Sequence, residues 1–586
     1  MRIATSSNPS EARKMPERVL LLGDDLRAFL AIARSLGRRG VEVHAAPSDF
    51  SSPALKSRYI AAAHRLPPYP LDPSAWESAL ARLIADYGFR KVIPTSDSGL
   101  FILRHHAETL GRERIGIANE TALGIFSDKA NTRALAERHG VGVARGRLLG
   151  SGEDADEVAE ALGLPLVLKP RASYALGDIA TKRSARVVRD RGELDRQLRS
   201  GAWDGCVAES FFPGVGVGLS VLASDGRILF AYQHRRLHES SETGASTKRV
   251  SEPADPALLA AAQPLAAEAR LDGVAMFEFR VDRGSGRHVL LEVNPRFWGS
   301  LPLAVAAGAD FPALWWDLAL HDRGGRGAYR AGVRKADLTG EFDRIVNCFE
   351  ESSGFKRLRA AAAGLISAVM LLRARSTADS WAQDDPEPWV EERRTLGVRI
   401  RQALRRRLPG RGRRRRIRFE DVVRRIAEKA GGRPLRLTVV GRDNLCRSAF
   451  GERLLRLRLA GLPVEVVSGG YIPRRGEFPS GSTFTAATQL GVDLSRHSSN
   501  ALSTTQLQRS DALILLDDDT EWRLRQMCPD FEAEVLTLPD IEGSGPETFP
   551  AIAAALTRLA GAIEEQLTSR PRRTASGSAG PCRQAA

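Results

Sequence analysis

Three oxygen-bearing side chains, Glu278, Glu292 and Asn294, flank one turn near the middle of the 586-residue chain. The turn, DRGSGRH (282–288), has Ser285 at its midpoint. A hairpin symmetric about Ser285 sets position 278 directly opposite 292, with Cβ atoms about 4.5–5.5 Å apart, where like charges repel. Asn294 lies two residues on and shares that face. Two carboxylates and a carboxamide are an oxygen ligand set of the kind Mg²⁺ prefers, often together with phosphate oxygens. The bland alternative is a solvated sheet face that tolerates the pair. The apolar neighbours Met276, Phe277, Phe279, Leu291 and Val293 argue against full solvation.

The elements that must position these residues are legible as alternating patterns. VLLLGDD (19–25), an amphipathic stretch to Arg39 and VEVHAA (41–46) read as strand, helix, strand, and KVIPTSD (91–97) repeats the strand-then-loop pattern. No GxGxxG follows Gly23, so a dinucleotide site is poorly supported. From about 118 to 320, helices interleave with hairpin-like strands: GLPLVLKP (163–170) ends at a lysine, GRILFAYQHRRL (226–237) is another strand, and 274–300 is the hairpin described above. A new α/β pattern starts with LRLTVVG at Leu435 and runs to about Leu567. There is no internal repeat.

The hairpin ending LLEVNPRFWGS (290–300), together with SDKANTRALAERHGV (127–141), PLVLKP (165–170) and AESFFPGVGVGLSVL (208–222), resembles the ATP-grasp superfamily. HRRLHES…GAST (234–247) followed by EVNPRFWGSLPLA is similar to a carboxylate–amine ligase branch found near bacterial polysaccharide genes, and DSWAQDDPEP (379–388) to that branch's closing segment. The resemblance covers roughly residues 18–390. It implies an ATP- and Mg²⁺-dependent (or Mn²⁺-dependent) ligase that activates a carboxylate as an acyl phosphate and passes it to an amine. Lys129 and Lys169 match the two lysines on the ATP phosphates, and Glu209 the hinge beside the adenine. Glu278, Glu292 and Asn294 match the metal ligands, and Arg296 the arginine facing the transferred phosphate or the substrate carboxylate. Arg235 and Arg236 are candidate substrate or phosphate contacts, with exposed structural arginines as the even alternative. The lid loop departs from the family: RASYALGDIATK (171–182) contains only Gly177, which leaves closure over an intermediate the least supported step.

The second α/β unit carries LTVVGRDNLCRSAF (437–450), then VEVVSGG, GVDLSRHSS, SDALILLDDD and LPD (538–540). In that order these resemble the low-molecular-weight protein tyrosine phosphatases over about 435–567. The family signature is a cysteine, five residues, then Arg-Ser. Arg447 and Ser448 are in place, Asn444 lies in the loop, and Gly441 occupies the cysteine position. Six residues after Cys446 stands Glu452, so Cys446 matches a second, non-nucleophilic cysteine. Asp540 matches the general acid but is followed by Ile541 rather than proline, and Asp443 stands where the family has glycine. Without a thiolate no phosphoenzyme forms. The expectation is a pseudophosphatase that binds or regulates, with a phosphoprotein as candidate partner and weak phosphatase activity as the alternative.

Composition bounds the rest. Hydrophobic residues at 43% and charged residues at 27% exclude a wholly disordered chain. Five scattered cysteines, with no CxxC, exclude a disulfide framework and a zinc ribbon and fit a reducing compartment. The net charge of +15 is local: Arg393–Arg418 holds thirteen arginines and no acid, and outside it 73 basic residues face 71 acidic ones. This segment has almost no aromatics, which disfavours a base-stacking platform. A solvated linker is the bland reading; an anionic membrane or nucleic acid is the candidate partner. The apolar run Ala360–Leu372 would make a helix of about 20 Å, short of a bilayer core of roughly 30 Å. It reads as a buried helix, with an interfacial helix as the alternative.

No secretory signal is read at the N-terminus, and a cytoplasmic location, peripheral at the inner membrane in the alternative, is expected. The fold class expected is multidomain α/β and α+β. In order, 1–17 is disordered, 18–117 a Rossmann-like pre-ATP domain, 118–320 the ATP-grasp fold and 321–392 its helical extension. Then come an Arg-rich linker (393–432), a phosphatase-like domain with a central parallel sheet (433–568) and a disordered tail (569–586). From a different functional class, the chain could be a regulatory ATP-binding sensor in polysaccharide biosynthesis.

Overall fold

A computed structural model describes residues 16–23, 26–47, 50, 52–67, 69, 73–174, 183, 185–199, 201, 203–239, 246–324, 327–350, 375–407, 419–430, 433–442, 444–471, 479, 481–516, 524, 528, 531–538 and 548–568. The apolar run 360–372, most of the lid loop, Asp443, Asp540 and the tail lie outside these residues. The chain divides into two compact units, Met1–Pro67 with Pro73–Arg401 and Pro68–Asp72 with Gln402–Ala586.

The first unit contains three sheets. Strands β1 (Arg18–Leu22), β2 (Glu42–Ala46), β3 (Ile60–Ala63) and β4 (Lys91–Pro94) form a parallel sheet in the order β3-β2-β1-β4. Val19, Leu20 and Leu21 are fully buried, as an unbroken apolar run demands of a strand covered on both faces. The chain leaves β1 toward β2 on one side and reaches β4 on the other, so a crevice opens at the C-terminal ends of β1 and β4. Gly23 closes β1 at φ +121°, and a Cβ there would stand 2.7 Å from the Thr95 hydroxyl. Glycine is therefore required at that turn.

Strands β5 (Gly146–Leu148), β6 (Leu166–Lys169), β7 (Arg186–Val188) and β8 (Val207–Ser210) form a small antiparallel sheet, order β5-β8-β6-β7. The largest sheet is also antiparallel. It contains β9 (Val215–Ser224), β10 (Arg227–Glu239), β11 (Ser246–Glu252), β12 (Gly273–Val281), β13 (His288–Asn294) and β14 (Arg334–Ala336), in the order β13-β12-β9-β10-β11-β14.

Alternation along these strands separates two cores. Leu219, Phe277 and Phe279 on one face pack with Leu135 and Leu265. Leu222, Tyr232 and Met276 on the other pack with Phe29 and Ile32 of helix Leu26–Arg38 and with Trp298, Phe311 and Trp316. The closing segment returns to that helix. Asp385 accepts from Arg34 Nε (2.8 Å), Ser57 Oγ (2.6 Å) and the Arg58 amide (2.9 Å), and Arg34 also donates to the Ser380 carbonyl.

The second unit is a parallel sheet of β15 (Leu435–Gly441), β16 (Val464–Gly470), β17 (Ala512–Leu515) and β18 (Glu534–Thr537), order β16-β15-β17-β18. Its core joins Val439, Phe450, Leu455 and Ile552. Two boundaries differ from the sequence reading. Helix Glu387–Arg407 runs through position 393, because arginine is a good helix former and no proline intervenes before 409. Helix Phe419–Ala430, read as linker, buries Val422, Val423 and Ile426 in the second unit's core. The arginines around it hid an apolar face.

Candidate functional site

The hairpin pairs Glu278 with Glu292 and Met276 with Asn294, while Phe279 pairs with Leu290. Leu291 is therefore an extra residue in β13, a bulge beside the two carboxylates. Such bulges re-aim side chains and free backbone groups, and Lys169 Nζ donates to the Leu291 carbonyl at 3.4 Å. At cross-strand spacing two carboxylates repel by roughly 3 kcal/mol at an effective dielectric constant of ~20. The structure offsets this on every side. Arg236 donates to Glu278 and Lys129 Nζ lies 3.2 Å from Glu292. Asn294 Nδ2 donates to Glu278 at 3.1 Å and to Glu292 at 3.4 Å.

Helix Lys129–Arg138 brings Lys129 in because Asp128 caps it, accepting from the Ala130 and Asn131 amides at 2.8 and 3.2 Å. Lys169 closes β6. Its ammonium pairs with Glu209 Oε2 at 2.5 Å, a diagonal neighbour on β8. Arg133 holds the other oxygen of Glu209 at 3.1 Å. Glu209 is thus bound to the lysine, and its backbone belongs to the β8 ladder.

The charges shape the ionisation. Burial raises the pKa of Glu278, and Glu292 adds to the rise against the pull of Arg236. Burial opposes the charge on Glu292 as well, but Lys129 and Lys169 outweigh it and hold that pKa down. Burial also opposes the charge on Lys129; Glu292, Asp97 and Glu278 outweigh it and raise the pKa. Within the pair, Glu292 is the firm anion and Glu278 the easier one to protonate.

Arg296 sits between the sheets. It donates through Nε to Asp97, through Nη1 to the Phe297 carbonyl at 2.7 Å and through Nη2 to Asn294 Oδ1 at 3.3 Å. Asp97 opens helix Asp97–His105 at the end of β4, so the crevice of the parallel sheet meets the carboxylates here. A pocket with a cavity volume of about 40 Å³ lies at this junction, lined by Asp97, Phe101, Lys129, Ser173, Glu292 and Asn294 among others. Arg235 points elsewhere: it pairs with Glu252 at 2.6 Å on the opposite face of β10 from Arg236.

Among the described residues no group of three or more His, Cys, Asp or Glu is placed to hold a metal ion. The donor set here is two carboxylates and an amide, which fits a hard cation once the Asn294 amide turns its oxygen toward them. Sequence reasoning missed Asp97, Arg133, Glu239 and the two glycines of β9. A Cβ at Gly216 would stand 2.5 Å from Arg236 Cδ, and one at Gly218 2.3 Å from the His234 ring. The alternation VGVGL was the available signal.

In the second unit β15 ends at Gly441 and helix Arg447–Arg458 begins after the loop. A Cβ at Gly441 would stand 2.6 Å from Ser448 Oγ. Ser448 Oγ instead donates to Asn444 Oδ1 at 3.1 Å. Asn444 is fully buried at φ +58°, its carbonyl accepting from His497 Nε2 at 2.8 Å. Arg447 is buried and donates to the Leu516 carbonyl at 3.3 Å. Cys446 stands immediately before the helix. Asp540 lies outside the described residues.

Residues 206–340 match the family described as ATP-grasp in the biosynthetic pathway with Ter operon, and 436–547 match the low molecular weight phosphotyrosine protein phosphatases. The probable low molecular weight protein-tyrosine-phosphatase EpsP of Ralstonia nicotianae is 27% identical over 106 residues, 18% of this chain and 72% of that protein. Among solved structures, an L-amino acid ligase from Bacillus licheniformis is 19% identical at a TM-score of 0.43, covering 54% of this chain and 78% of that one. The biotin carboxylase domain of Hydrogenobacter thermophilus 2-oxoglutarate carboxylase, a complex with MgADP, ADP and bicarbonate, is 17% identical at 0.44, covering 55% and 74%. Structural likeness at these TM-scores assigns no chemistry. The chain carries an ATP-grasp region and a low-molecular-weight phosphatase-like region. Among the described residues no single helix is long and apolar enough to cross a membrane.

Proposed function

We propose that the first unit is an ATP- and Mg²⁺-dependent ligase that converts a carboxylate to an acyl phosphate and joins it to an amine. The observation that carries this reading is one site where Lys129, Lys169 and Arg236 each pair with a separate carboxylate, Glu292, Glu209 and Glu278. Such pairs can open in an exchange that conserves charge. Phosphate oxygens draw the two lysines, and Glu292, left by Lys129, turns with Glu278 to a cation. Glu278, Glu292 and Asn294 would hold Mg²⁺ or Mn²⁺, which would supply Lewis-acid neutralisation of the phosphoryl oxygens.

A substrate carboxylate oxygen then attacks the γ-phosphorus while the bond to the ADP oxygen breaks. Arg296, fixed by Asp97, stands where charge develops and needs little reorganisation. The amine lone pair attacks the acyl carbon, the C–O bond to phosphate breaks, and the amine proton leaves with phosphate or water. The nucleophiles come from the substrates, so no side-chain nucleophile is needed.

For the second unit we propose phosphate or phosphoester binding without turnover. Gly441 at the strand end offers no nucleophile, and Ser448 fills the space beside it. The Arg-rich segment is assigned no partner beyond a linking role. The test is ADP release by the full chain with Mg-ATP and pooled amino, hydroxy and sugar acids, with and without amines. Release that needs an acid and vanishes in Glu292→Ala supports the ligase. ATP bound but never turned over across the pool supports the regulatory reading.

A further inference from the structure

Strand β10 carries a histidine two residues beyond Arg236, roughly 7 Å along the strand. This His238 places Nδ1 3.0 and 2.9 Å from the two oxygens of Glu341, on helix Leu338–Glu350. Thr247 of β11 also donates to Glu341, and Arg344 adds Nε at 3.3 Å and Nη2 at 3.1 Å. The pair lies on the face of the carboxylates. Thr247 shares a side of β11 with Arg249, which stands opposite Arg236, the partner of Glu278. The register slips on either side of His238, and bulges of this kind re-aim side chains.

Glu341 fixes the tautomer. A carboxylate only accepts, so the neutral imidazole carries its proton on Nδ1 and its lone pair on Nε2. Glu341 is 1% exposed; burial opposes its charge, but the bonds from His238, Arg344 and Thr247 hold its pKa down to about 2. Behind the ring stands a permanent anion, suited to stabilise an imidazolium. The other end of the ring is open. The His238 side chain is 36% exposed, and Nε2 makes no hydrogen bond among the described residues. Arg236 and Glu239 on its own strand, Lys248 opposite it on β11, Asp337 beside Thr247, and Arg344 are the other charged groups around it.

From β13 to β11 this face carries Glu292, Glu278, the glycines of β9, Arg236 and then His238 with Glu341. The lysines drawn by phosphate lie at the first end, and the basic nitrogen lies at the other. We propose that His238 is the general base that takes a proton from the attacking amine. The proposal rests on the ligase reading above. The amine lone pair forms the C–N bond, and the C–O bond to phosphate breaks with its electron pair leaving on phosphate. The N–H proton moves to Nε2, and the imidazolium, still bonded to Glu341 through Nδ1, later returns it to water.

The test follows two products of the full chain with Mg-ATP and the pooled amino, hydroxy and sugar acids. Hydroxylamine, neutral at physiological pH, traps an acyl phosphate as hydroxamate without help from a base. Pooled primary amines, protonated there, give amide only once deprotonated. His238→Gln should form amide about 100-fold more slowly, the scale of a lost general base, and hydroxamate within about threefold of wild type. The acid limb of its amide rate should move to higher pH, toward the ionisation of the free amine. Imidazole should restore amide formation in His238→Ala. Hydroxamate and amide falling together in both variants, without rescue, mark a structural residue and overturn the inference. So do amide formed as fast as by wild type, an acid limb that stays in place, or a wild type that makes hydroxamate but no amide. No hydroxamate from the wild type overturns the ligase reading itself, and the inference with it.

Discussion

Arg236 on β10 reaches Glu278 on β12 across an intervening strand whose facing residues are Gly216 and Gly218. No larger residue in β9 leaves that path open. Burial opposes the arginine's charge, but Glu278 and Glu239 outweigh it and raise its pKa, so a charged pair spans the sheet when no cation is bound.

This predicts a contrast between neighbouring arginines. Arg236→Ala should lower kcat/KM for the acid about 100-fold, about 2.7 kcal/mol of transition-state stabilisation. Arg235→Ala, which loses only the pair with Glu252 on the other face, should cost less than about threefold, as partly exposed ion pairs generally do. Gly216→Ala should behave like a mild Arg236 variant, because its Cβ would stand 2.5 Å from Arg236 Cδ. Steady-state kinetics on the three variants checks this.

Cation binding should be synergistic with nucleotide. Without ATP, Lys129 and Arg236 occupy the carboxylates and compete with a metal. With ATP, the lysines are drawn to phosphate. Mn²⁺ titration followed by electron paramagnetic resonance should show weak binding alone and at least tenfold tighter binding with ATP. Glu292→Gln should abolish most of the gain. Equal Mn²⁺ affinity with and without ATP would contradict the exchange.

Stability should carry a pH signature from Glu392. This carboxyl is 5% exposed, bonded by Ser380 and Thr339, and burial pushes its pKa up from 4.5 to about 7. The folded state holds the proton more tightly than the unfolded chain. Its contribution is therefore complete below about pH 4.5 and is lost as pH rises through about 7, by roughly 3 kcal/mol in all. Glu392→Gln should melt progressively higher than wild type from pH 5 to 8. A constant difference across that range would rule this out.

The phosphatase-like unit should not hydrolyse p-nitrophenyl phosphate, and iodoacetamide should change nothing. Gly441→Cys should destabilise it by about 1–3 kcal/mol through the contact with Ser448. Ser448→Gly in the same chain should relieve that loss. Iodoacetamide-sensitive turnover by the wild-type protein would show that Cys446 is a nucleophile after all.

Much of this was legible because local rules sufficed. Glu278 pairs with Glu292 as symmetry about Ser285 predicts, although the bulge at Leu291 is what restores that register, whereas Lys129 rests on the resemblance to the lysines of the ATP phosphates. Parity alone could not choose between Arg235 and Arg236, since adjacent strand residues face opposite ways. The choice needed the glycines of β9 set against β10. Asp97 and Arg296 are 199 residues apart, and no local pattern announces such a contact. The bulge at Leu291 was hidden for a similar reason. It shifts the pairs between the site and the turn by one residue, while the site's own pairs, Glu278 with Glu292 and Met276 with Asn294, keep the register symmetric about Ser285.

The central claim is acyl phosphate formation, and oxygen transfer tests it most directly. The acid found to support ADP release is supplied with ¹⁸O in its carboxylate, and the inorganic phosphate is examined by mass spectrometry. The account predicts one ¹⁸O atom per phosphate released, formed at the rate of amide product and absent in Glu292→Ala. Unlabelled phosphate, or label appearing in AMP, would contradict it.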